Sequence, residues 1–206
     1  MSSENILVGG KSVSRETFQR LEQLSALITK WTKSINLISP SSIPEIWERH
    51  IVDSAQIYQI ARSDWKNWVD LGSGGGLPAL VVAVLDQERR PITLVESDQR
   101  KCLFLNTAKR ELDLNLVVVN KRIEKTDLSN FDVMSARALA ALPELLTYAV
   151  KYLKPEGQAI LPKGARFQQD LDQASQGWQF DVMTHASLTS PESRILEVSR
   201  IYRRES

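Results

Sequence analysis

The segment Trp68-Val69-Asp70-Leu71-Gly72-Ser73-Gly74-Gly75-Gly76 carries the clearest structural signal in the chain. It places four of the nine glycines directly after an apolar run and directly before Leu77-Pro78. Glycine allows the positive φ of a sharp strand-to-helix turn, and it leaves room where a ligand must lie against the backbone. Proline suits the first turn of a helix. The segment therefore predicts a buried strand, a bare loop and then a helix.

The spacing within the loop is Gly72-x-Gly74-x-Gly76, and Leu77 follows where a dinucleotide fingerprint has its third glycine or alanine. A pyrophosphate needs open backbone amides at the start of the helix, whereas a sulfonium cofactor carries no phosphate. The loop therefore favours S-adenosylmethionine over NAD, with the adenosyl group lying against Gly74. A tight turn that binds no ligand is the alternative.

Acidic residues follow the next two predicted strands. Glu96 ends the second strand twenty residues after the loop, at the spacing expected of a carboxylate that binds ribose hydroxyls; a solvated strand end is the alternative. The third strand leads to Ile123 and Glu124, at the edge that faces the adenine in a doubly wound sheet. We expect Ile123 to pack on the ring, and Glu124 either to accept from the exocyclic amine or to cap the following segment. Asp70 is expected to brace the glycine loop.

From Trp68 onward, short β-rich segments alternate with helical ones, which is typical of a parallel sheet covered by helices. Strands are predicted at about 67–71, 91–96, 116–119, 131–135 and 158–161, and helices at about 78–86, 99–111 and 143–153. A last pair of strands, at about 178–184 and 194–203, has no helical pattern between its members and predicts an antiparallel hairpin. Residues 63–206 are thus expected to form a Rossmann-like, doubly wound α/β domain with a mostly parallel sheet.

Residues 1–62 are predicted to form a helical extension packed on this domain. Ser14 is a candidate cap for a helix whose apolar residues, beginning at Phe18, recur every three or four positions. Ser42 and Glu45 have the spacing of a capping box at the start of a second helix. We expect the apolar residues of both helices to form the core that holds them to the sheet.

The composition is that of a folded domain: 42% of the 206 residues are hydrophobic, 25% are charged, and the formal net charge is +1. Such a charge neither requires nor excludes a nucleic acid partner. No stretch has the pattern of a secretory signal or a membrane span, so we expect a cytoplasmic protein without membrane contact, and a monomer. Cys102 is the single cysteine, and His50 and His185 lack metal-ligand spacing, so neither a disulfide nor a metal is predicted.

The fourth and fifth predicted strands lead to Arg137 and Lys163. Both residues are expected on the same carboxyl-terminal rim, where they are candidates to hold anionic groups; two ordinary solvated cations are the alternative. The Asn/Asp-Pro-Pro-aromatic motif typical of exocyclic amine methylation is missing from this place. Cys102, on the helix after the second strand, fits a packing residue better than the nucleophile that cytosine-5 methylation requires.

Five blocks of sequence resemble one known family in their order and spacing: WTKSINLIS at 31–39, ERHIVDS at 48–54, VDLGSGGGLP at 69–78, SARALA at 135–140 and LPKG at 161–164. The family is the bacterial small-subunit ribosomal RNA guanine-N7 methyltransferases, called RsmG or glucose-inhibited division protein B. The resemblance runs from about residue 18 to the C-terminus. This chain has Gly75 where the family often has proline, and Glu96 where it often has aspartate. Both changes preserve the inferred roles, and Gly75 is expected to make the loop more flexible.

The resemblance implies a class I S-adenosylmethionine-dependent methyltransferase fold preceded by helices. It also implies methylation of N7 of a guanine in the 530 loop of 16S ribosomal RNA, within the small ribosomal subunit. Carried over residue by residue, it implies cofactor contacts at Gly72, Leu77, Ile123, Glu124 and Arg137. Lys163 and His50 match other polar positions and are candidate RNA contacts, as is Asn36 on the acceptor side. A structural role explains His50 equally well.

Guanine N7 presents a lone pair and carries no proton, so direct methyl transfer, which leaves S-adenosylhomocysteine, needs no general base and no covalent intermediate. Holding N7 in line with the methyl group can supply roughly 7–11 kcal/mol of the barrier. The product base is cationic, which disfavours a guanidinium at N7. Arg137 is therefore assigned to the cofactor carboxylate or a phosphate, and Lys163 to guanine O6 or a phosphate. The alternatives are methylation of another RNA, a small molecule or a protein, a non-catalytic cofactor-binding RNA scaffold, and an NAD-dependent oxidoreductase.

Overall fold

The computed structural model describes residues 6–204. Its strands are β1 (Ile6–Val8), β2 (Lys11–Val13), β3 (Trp68–Leu71), β4 (Ile92–Glu96), β5 (Leu116–Asn120), β6 (Phe131–Ser135), β7 (Leu153–Lys163), β8 (Trp178–Ala186) and β9 (Arg194–Arg203). Its α-helices are α1 (Arg15–Thr32), α2 (Asp53–Ile60), α3 (Ala79–Leu85), α4 (Gln99–Glu111), α5 (Leu142–Tyr152) and α6 (Phe167–Ser175). Short 3₁₀ helices lie at Pro40–Glu45 and Ile123–Lys125, and a π-helical turn lies at Trp47–Val52. None of the described helices has the length and apolar character needed to cross a bilayer.

Seven strands form one sheet in the order β5-β4-β3-β6-β7-β9-β8. The strands from β3 to β7 are parallel, and β9 runs antiparallel to both β7 and β8. The winding direction reverses between β3 and β6, so the carboxyl ends of these two strands flank a crevice where ligands bind in such sheets. The predicted doubly wound α/β fold with a C-terminal antiparallel hairpin is confirmed.

Strand β7 is longer than predicted, because it begins at Leu153 rather than near residue 158. Leu153 pairs with Phe131, and the ladder resumes at Gln158 after an irregularity. Pro155 and Gly157 lie in that interval. Proline offers no amide to a ladder and glycine weakens a strand, which is why the sequence pattern indicated only the second half of this strand.

The prediction that the first 62 residues are helical is wrong for residues 6–13, where β1 and β2 form an antiparallel hairpin. The turn of this hairpin is Gly9-Gly10, with φ values of 58° and 83°. A Cβ at Gly9 would lie 2.6 Å from the Cβ of Ala55. The turn therefore requires glycine both for its conformation and for its close approach to α2. Residues 1–5 of the predicted helical extension lie outside the described residues.

The predicted cap of α1 is confirmed, since Ser14 Oγ accepts from the amide of Thr17 at 3.1 Å. The predicted capping box is wrong. Ser42 lies inside a 3₁₀ helix, where its hydroxyl donates to the carbonyl oxygen of Ser39 at 2.7 Å. Pro44, in the same 3₁₀ helix, has no amide to donate, and the chain enters α2 only after a π-helical turn.

Helix α6 has no counterpart in the sequence prediction. Its sequence, FQQDLDQAS, is mostly polar, and its buried residues are Leu171 and Ala174. Two apolar positions give too weak a period to distinguish a short helix from a loop. Both residues belong to the core that α5 shares with the sheet, so tertiary packing stabilises this helix.

Two hydrophobic cores cover the two faces of the sheet. On one face, Leu24 and Ile28 of α1 pack in the same cluster as Trp68 of β3 and the buried side chains of α3 and α4. On the other face, α5 and α6 pack in a cluster with Met134 and Leu196. The N-terminal helices and the sheet therefore share one core, while the division of the chain at about residue 62 stays a prediction.

Leu24→Ala tests whether the N-terminal helices fold together with the sheet. Because Leu24 is fully buried in the shared core, the variant should lose about 2–5 kcal/mol of the free energy of unfolding. We expect one cooperative transition in urea, monitored by circular dichroism, for the variant and the original protein. Glu22→Ala, on the exposed side of the same helix, is the control and should change stability little. Two separate transitions would show that the helices form an independent domain.

Candidate active site

Three glycines in the loop after β3 have positive φ: Gly72 at 63°, Gly74 at 54° and Gly76 at 76°. A Cβ at Gly72 would lie 2.6 Å from the side chain of Leu139, and one at Gly76 would collide with that of Leu80. Gly72 and Gly76 are thus required by their backbone conformation and by the protein that packs against them.

Gly75 allows the N-terminal segment to approach the loop. A Cβ at Gly75 would lie 2.8 Å from the carbonyl oxygen of Leu37. Gly75 is buried, and its φ is not positive. Close packing against Leu37 therefore accounts for glycine at this position, whereas the expected gain in loop flexibility stays a prediction.

Gly74 differs from its neighbours because a Cβ there would face open space, with the carbonyl oxygen of Gly72 as the nearest atom at 3.7 Å. The amide of Gly74 donates to Oε2 of Glu96 at 2.8 Å, and Oε1 accepts from the amide of Asp98, also at 2.8 Å. Glu96 therefore fixes the loop in place. The bare position at Gly74 has the form of a ligand cradle, and ribose binding by Glu96 stays a prediction.

Asp70 is a buried carboxylate where β3 lies beside β6. Its Oδ1 accepts from the hydroxyl of Ser135 at 2.5 Å, and that hydroxyl accepts from the indole N–H of Trp68 at 2.8 Å. Its backbone carbonyl accepts from Ser73 Oγ at 3.0 Å, which braces the glycine loop. Oδ2 is buried and has no hydrogen-bond partner among the described residues. Burial raises the pKa of Asp70 to about 6, and the unpaired oxygen suits a cationic group of a ligand.

The segment after β5 forms the side of the site that is predicted to face an adenine ring. Ile123 is buried at the start of its 3₁₀ helix. The exposed carboxylate of Glu124 accepts from the hydroxyl of Tyr148 at 2.7 Å, and this hydrogen bond lowers the pKa of Glu124. The hydrogen bond holds the side chain of Glu124 beside α5, and contact with a base stays a prediction. Leu77 is buried just before α3.

A cavity of about 300 Å³ lies at the carboxyl ends of β6 and β7, and we call it the acceptor cavity. Arg137 and Lys163 both line it, as does Arg194. Lys163 and Arg194 are direct partners in the register of β7 and β9. No local pattern in the sequence indicated Arg194 as a site residue, although the predicted antiparallel hairpin was a usable signal. The antiparallel strand of such a hairpin begins at the edge of the sheet where the parallel strands end, so its first residues lie beside the last residues of those strands.

Two residues from the N-terminal region hold Arg137. Its guanidinium lies 3.5 Å from Oδ2 of Asp53 and 3.3 Å from Nδ1 of His50. Burial, with the positive charges of Arg137 and Arg49, lowers the pKa of His50 to about 4, so the ring is neutral at pH 7. Because arginine only donates, Nδ1 is the acceptor, and Nε2 donates to Ser42 Oγ at 2.8 Å. His50 thus supports Arg137 and does not line the acceptor cavity.

Lys163 is the last residue of β7, and its side chain is 12% exposed. Its ammonium lies 3.1 Å from Oδ2 of Asp170 in α6 and donates to the carbonyl oxygen of Ala140 at 3.2 Å. Lys163 and Arg137 are therefore both held in ion pairs, unlike ordinary solvated cations. Asn36 is exposed next to Leu37, beside the glycine loop, and is not among the residues that line the acceptor cavity.

A doubly wound sheet, a glycine loop after its first parallel strand and a carboxylate at the end of the next strand together define the fold of class I S-adenosylmethionine-dependent methyltransferases. The fold is similar to that of the O-methyltransferase from Bacillus cereus in complex with SAH, with a TM-score of 0.59 and 12% identity over 88% of this chain and 90% of that one. It is also similar to the O-methyltransferase TomG from Streptomyces achromogenes in complex with SAM, with a TM-score of 0.57 and 12% identity over 88% and 89%.

The family model for rRNA small subunit methyltransferase G matches residues 17–197. Two similar proteins carry the name Ribosomal RNA small subunit methyltransferase G. The one from Paracoccus denitrificans (strain Pd 1222) is 48% identical over 189 residues, which cover 91% of this chain and 97% of the relative. The one from Ruegeria sp. (strain TM1040) is 45% identical over 194 residues, which cover 93% and 94%. The chain belongs to this family, and the resemblance seen in the five sequence blocks is confirmed.

Asp70→Asn should stabilise the protein in a pH-dependent way. A folded-state pKa raised to about 6 means that the native protein holds this proton between about pH 4 and pH 6, where the unfolded chain has lost it. The original protein therefore loses stability as pH rises through that range, while asparagine, which still accepts from Ser135, has no such loss. We expect Asp70→Asn to raise the free energy of unfolding at pH 8 by on the order of 2 kcal/mol, and to have a much smaller effect at pH 4.

The measurement is urea unfolding of both proteins at pH 4, 6 and 8. Asp127→Asn, which changes an exposed carboxylate, is the control and should change the free energy of unfolding little. Destabilisation by Asp70→Asn at pH 8 would contradict the assignment of Asp70 as a costly buried charge.

Proposed function

We propose that this protein transfers the methyl group of S-adenosylmethionine to N7 of a guanine in the 530 loop of 16S ribosomal RNA. The proposal rests on the hydrogen bonds and ion pairs that the polar groups at the acceptor cavity already make. Asp53, the carboxylate that lines it, is engaged by Arg137 and by the hydroxyl of Thr189 at 2.9 Å. Nδ1 of His50 is occupied by Arg137. No group among the described residues that line the cavity is free to remove a proton, so the cavity suits an acceptor atom that has a lone pair and no proton.

The ends of β3, β4 and β5 fit the proposed cofactor. Gly74 leaves space for the adenosyl group, the unpaired Oδ2 of Asp70 suits the ammonium, and Ile123 offers an apolar surface to the adenine. When bound, S-adenosylmethionine supplies an activated methyl group on its sulfonium. The remaining proposed contacts are Gly72, Leu77, Glu96, Glu124 and Arg137.

The protein contributes alignment rather than proton transfer. The cofactor cradle after β3 and the acceptor cavity at β6 and β7 lie on the same edge of the sheet, on the two sides of the point where the winding reverses. A base held in the cavity can therefore present N7 toward the cofactor side. Such positioning can lower the barrier by roughly 7–11 kcal/mol. We propose that no metal takes part.

Two cations have separate roles in this proposal. Arg137, held by Asp53 and His50, binds the cofactor carboxylate or a backbone phosphate, since an arginine on N7 would block the atom that receives the methyl group. Lys163 donates to guanine O6. The formal net charge of +1 gives weak general attraction to RNA, so we propose that the monomeric enzyme recognises the shape of the assembled small subunit.

The decisive experiment offers labelled S-adenosylmethionine together with small ribosomal subunits that lack the modification. We expect one labelled 7-methylguanine in the 530 loop, mapped by strand scission at the methylated base. Naked 16S RNA is the parallel substrate and should be methylated more slowly. Label in a different base, in protein or in no acceptor would refute the proposed function, and equal rates on naked RNA would refute recognition of the particle.

Gly74→Val should abolish cofactor binding while the protein stays folded. The side chain would occupy the open space of the cradle, and the positive φ adds a strain of roughly 1–2 kcal/mol that the fold can absorb. Titration calorimetry with S-adenosylhomocysteine measures the affinity, and circular dichroism checks the fold. Gly177→Val is the control for an added side chain, because a Cβ at that position has no atom within 4 Å and the residue lies far from the loop in the chain. Unchanged affinity in Gly74→Val would place the cofactor elsewhere.

A further inference from the structure

We infer that Asp170 is a positioning residue for methyl transfer, which acts by fixing Lys163 and by neutralising its charge beside the base. The inference rests on the proposed function, and it adds a residue that neither the sequence blocks nor the glycine loop indicates. Asp170 lies in the first turn of α6, outside the sheet that carries the other candidate residues.

The contacts of Lys163 leave one of its hydrogen-bond donors available to a ligand. Its ammonium has three N–H donors. One is directed to the carbonyl oxygen of Ala140 at 3.2 Å and one to Oδ2 of Asp170 at 3.1 Å. The side chain is 12% exposed and lines the acceptor cavity, so the remaining donor serves the cavity. A lysine held in this way is a fixed hydrogen-bond donor rather than a mobile cation that searches for phosphates.

The charge balance of the cavity explains why an acid should hold this lysine. Methylation at N7 turns a neutral base into a cation, so an uncompensated ammonium at O6 would oppose the reaction. Asp170 cancels that charge while Lys163 keeps its N–H for O6. Arg137 is neutralised in the same manner by Asp53 at 3.5 Å.

Arg194 is the third cation that lines the cavity, and it is arranged differently. Its guanidinium donates to the carbonyl oxygens of Pro191 and Ser193, each at 2.8 Å, and lies over the ring of Phe167. No carboxylate among the described residues lies within ion-pair distance of it. Its full charge suits a backbone phosphate, whereas Lys163, whose charge Asp170 neutralises, suits the reacting base.

The packing of α6 gives Asp170 a fixed position. Its neighbour Leu171 is buried in the core, and the amide of Asp170 donates to the carbonyl oxygen of Arg166 at 3.1 Å. The carboxylate is therefore held by the helix rather than by a flexible loop. Asp172, two residues further along, is exposed and accepts from Gln168 at 3.0 Å, so it offers a matched acid on the same helix without contact to Lys163.

The test compares Asp170→Asn, Asp170→Ala and the control Asp172→Asn in steady-state methylation of small ribosomal subunits. Asparagine can still accept from Lys163, so Asp170→Asn removes the charge and keeps the shape. We expect kcat to fall about tenfold in Asp170→Asn and up to about a hundredfold in Asp170→Ala, the factor that a hydrogen bond to a charged group typically contributes. KM for the subunit should not rise, because the uncompensated Lys163 still attracts RNA. The control should match the original protein.

A double-mutant cycle separates positioning from a general structural role. If Asp170 acts through Lys163, then Lys163→Ala with Asp170→Ala should be no slower than Lys163→Ala alone. Calorimetry with S-adenosylhomocysteine and thermal unfolding should give the original cofactor affinity and fold for Asp170→Asn. Additive losses in the cycle, an unchanged kcat in Asp170→Asn, or a raised KM with kcat intact would each overturn the inference.

The outcome is distinguishable from a failure of the proposed function. If the original protein methylates another acceptor, the proposed function fails, and the same variants assayed on that acceptor still decide the role of Asp170. If the original protein methylates nothing, both fail. If it methylates guanine N7 and the variants show no loss in kcat, only the role of Asp170 is refuted.

Discussion

The hydrogen bond from the amide of Gly74 to the carboxylate of Glu96 is the contact on which the site depends. It joins the loop after β3 to the end of β4, and it is possible only because the loop can take up positive φ at Gly72, Gly74 and Gly76. Packing from Leu37, Leu80 and Leu139 fills the space around three of the four loop glycines. The space at Gly74 is left open, so the fold itself sets where a ligand can lie against the backbone.

Electrostatics divides the edge of the sheet into two parts. Beside the loop, one oxygen of the buried carboxylate of Asp70 has no hydrogen-bond partner within residues 6–204, so this part suits a cation. At the acceptor cavity, Arg137 and Lys163 face acids that come from outside the parallel strands. Asp53 also accepts from Thr189, and Gln56 accepts from the amide of Leu188, so the N-terminal region and the terminal hairpin close the cavity together. Chain segments remote in sequence thus build the acceptor side.

The sequence predicted the structure best where a single local sequence pattern determines the conformation of the chain. Glycine spacing and the alternation of strands with helices predicted the parallel sheet, the glycine loop and the place of Glu96 at the end of β4. Backbone freedom and the period of buried residues can both be recognised within a few residues of sequence. It was least informative in polar or irregular segments. Because of Pro155 and Gly157, the pattern indicated only half of β7. The short polar helix α6 has too few apolar residues to show a helical period. The Gly9-Gly10 turn was not recognised as the turn of a hairpin. In each of these places packing overrides weak local preference.

By itself, then, the sequence determined the class of fold, the position of the glycine loop and the rim on which Arg137 and Lys163 lie. The tertiary structure decided which contacts those residues make. It showed that Glu96 holds the loop, that Glu124 is engaged by Tyr148, and that His50 is a neutral support for Arg137. It also revealed Arg194 and Asp170, whose contacts join segments that no local pattern connects. Hydrogen bonds and ion pairs depend on distances of about 3 Å between side chains, and only the folded chain fixes those distances.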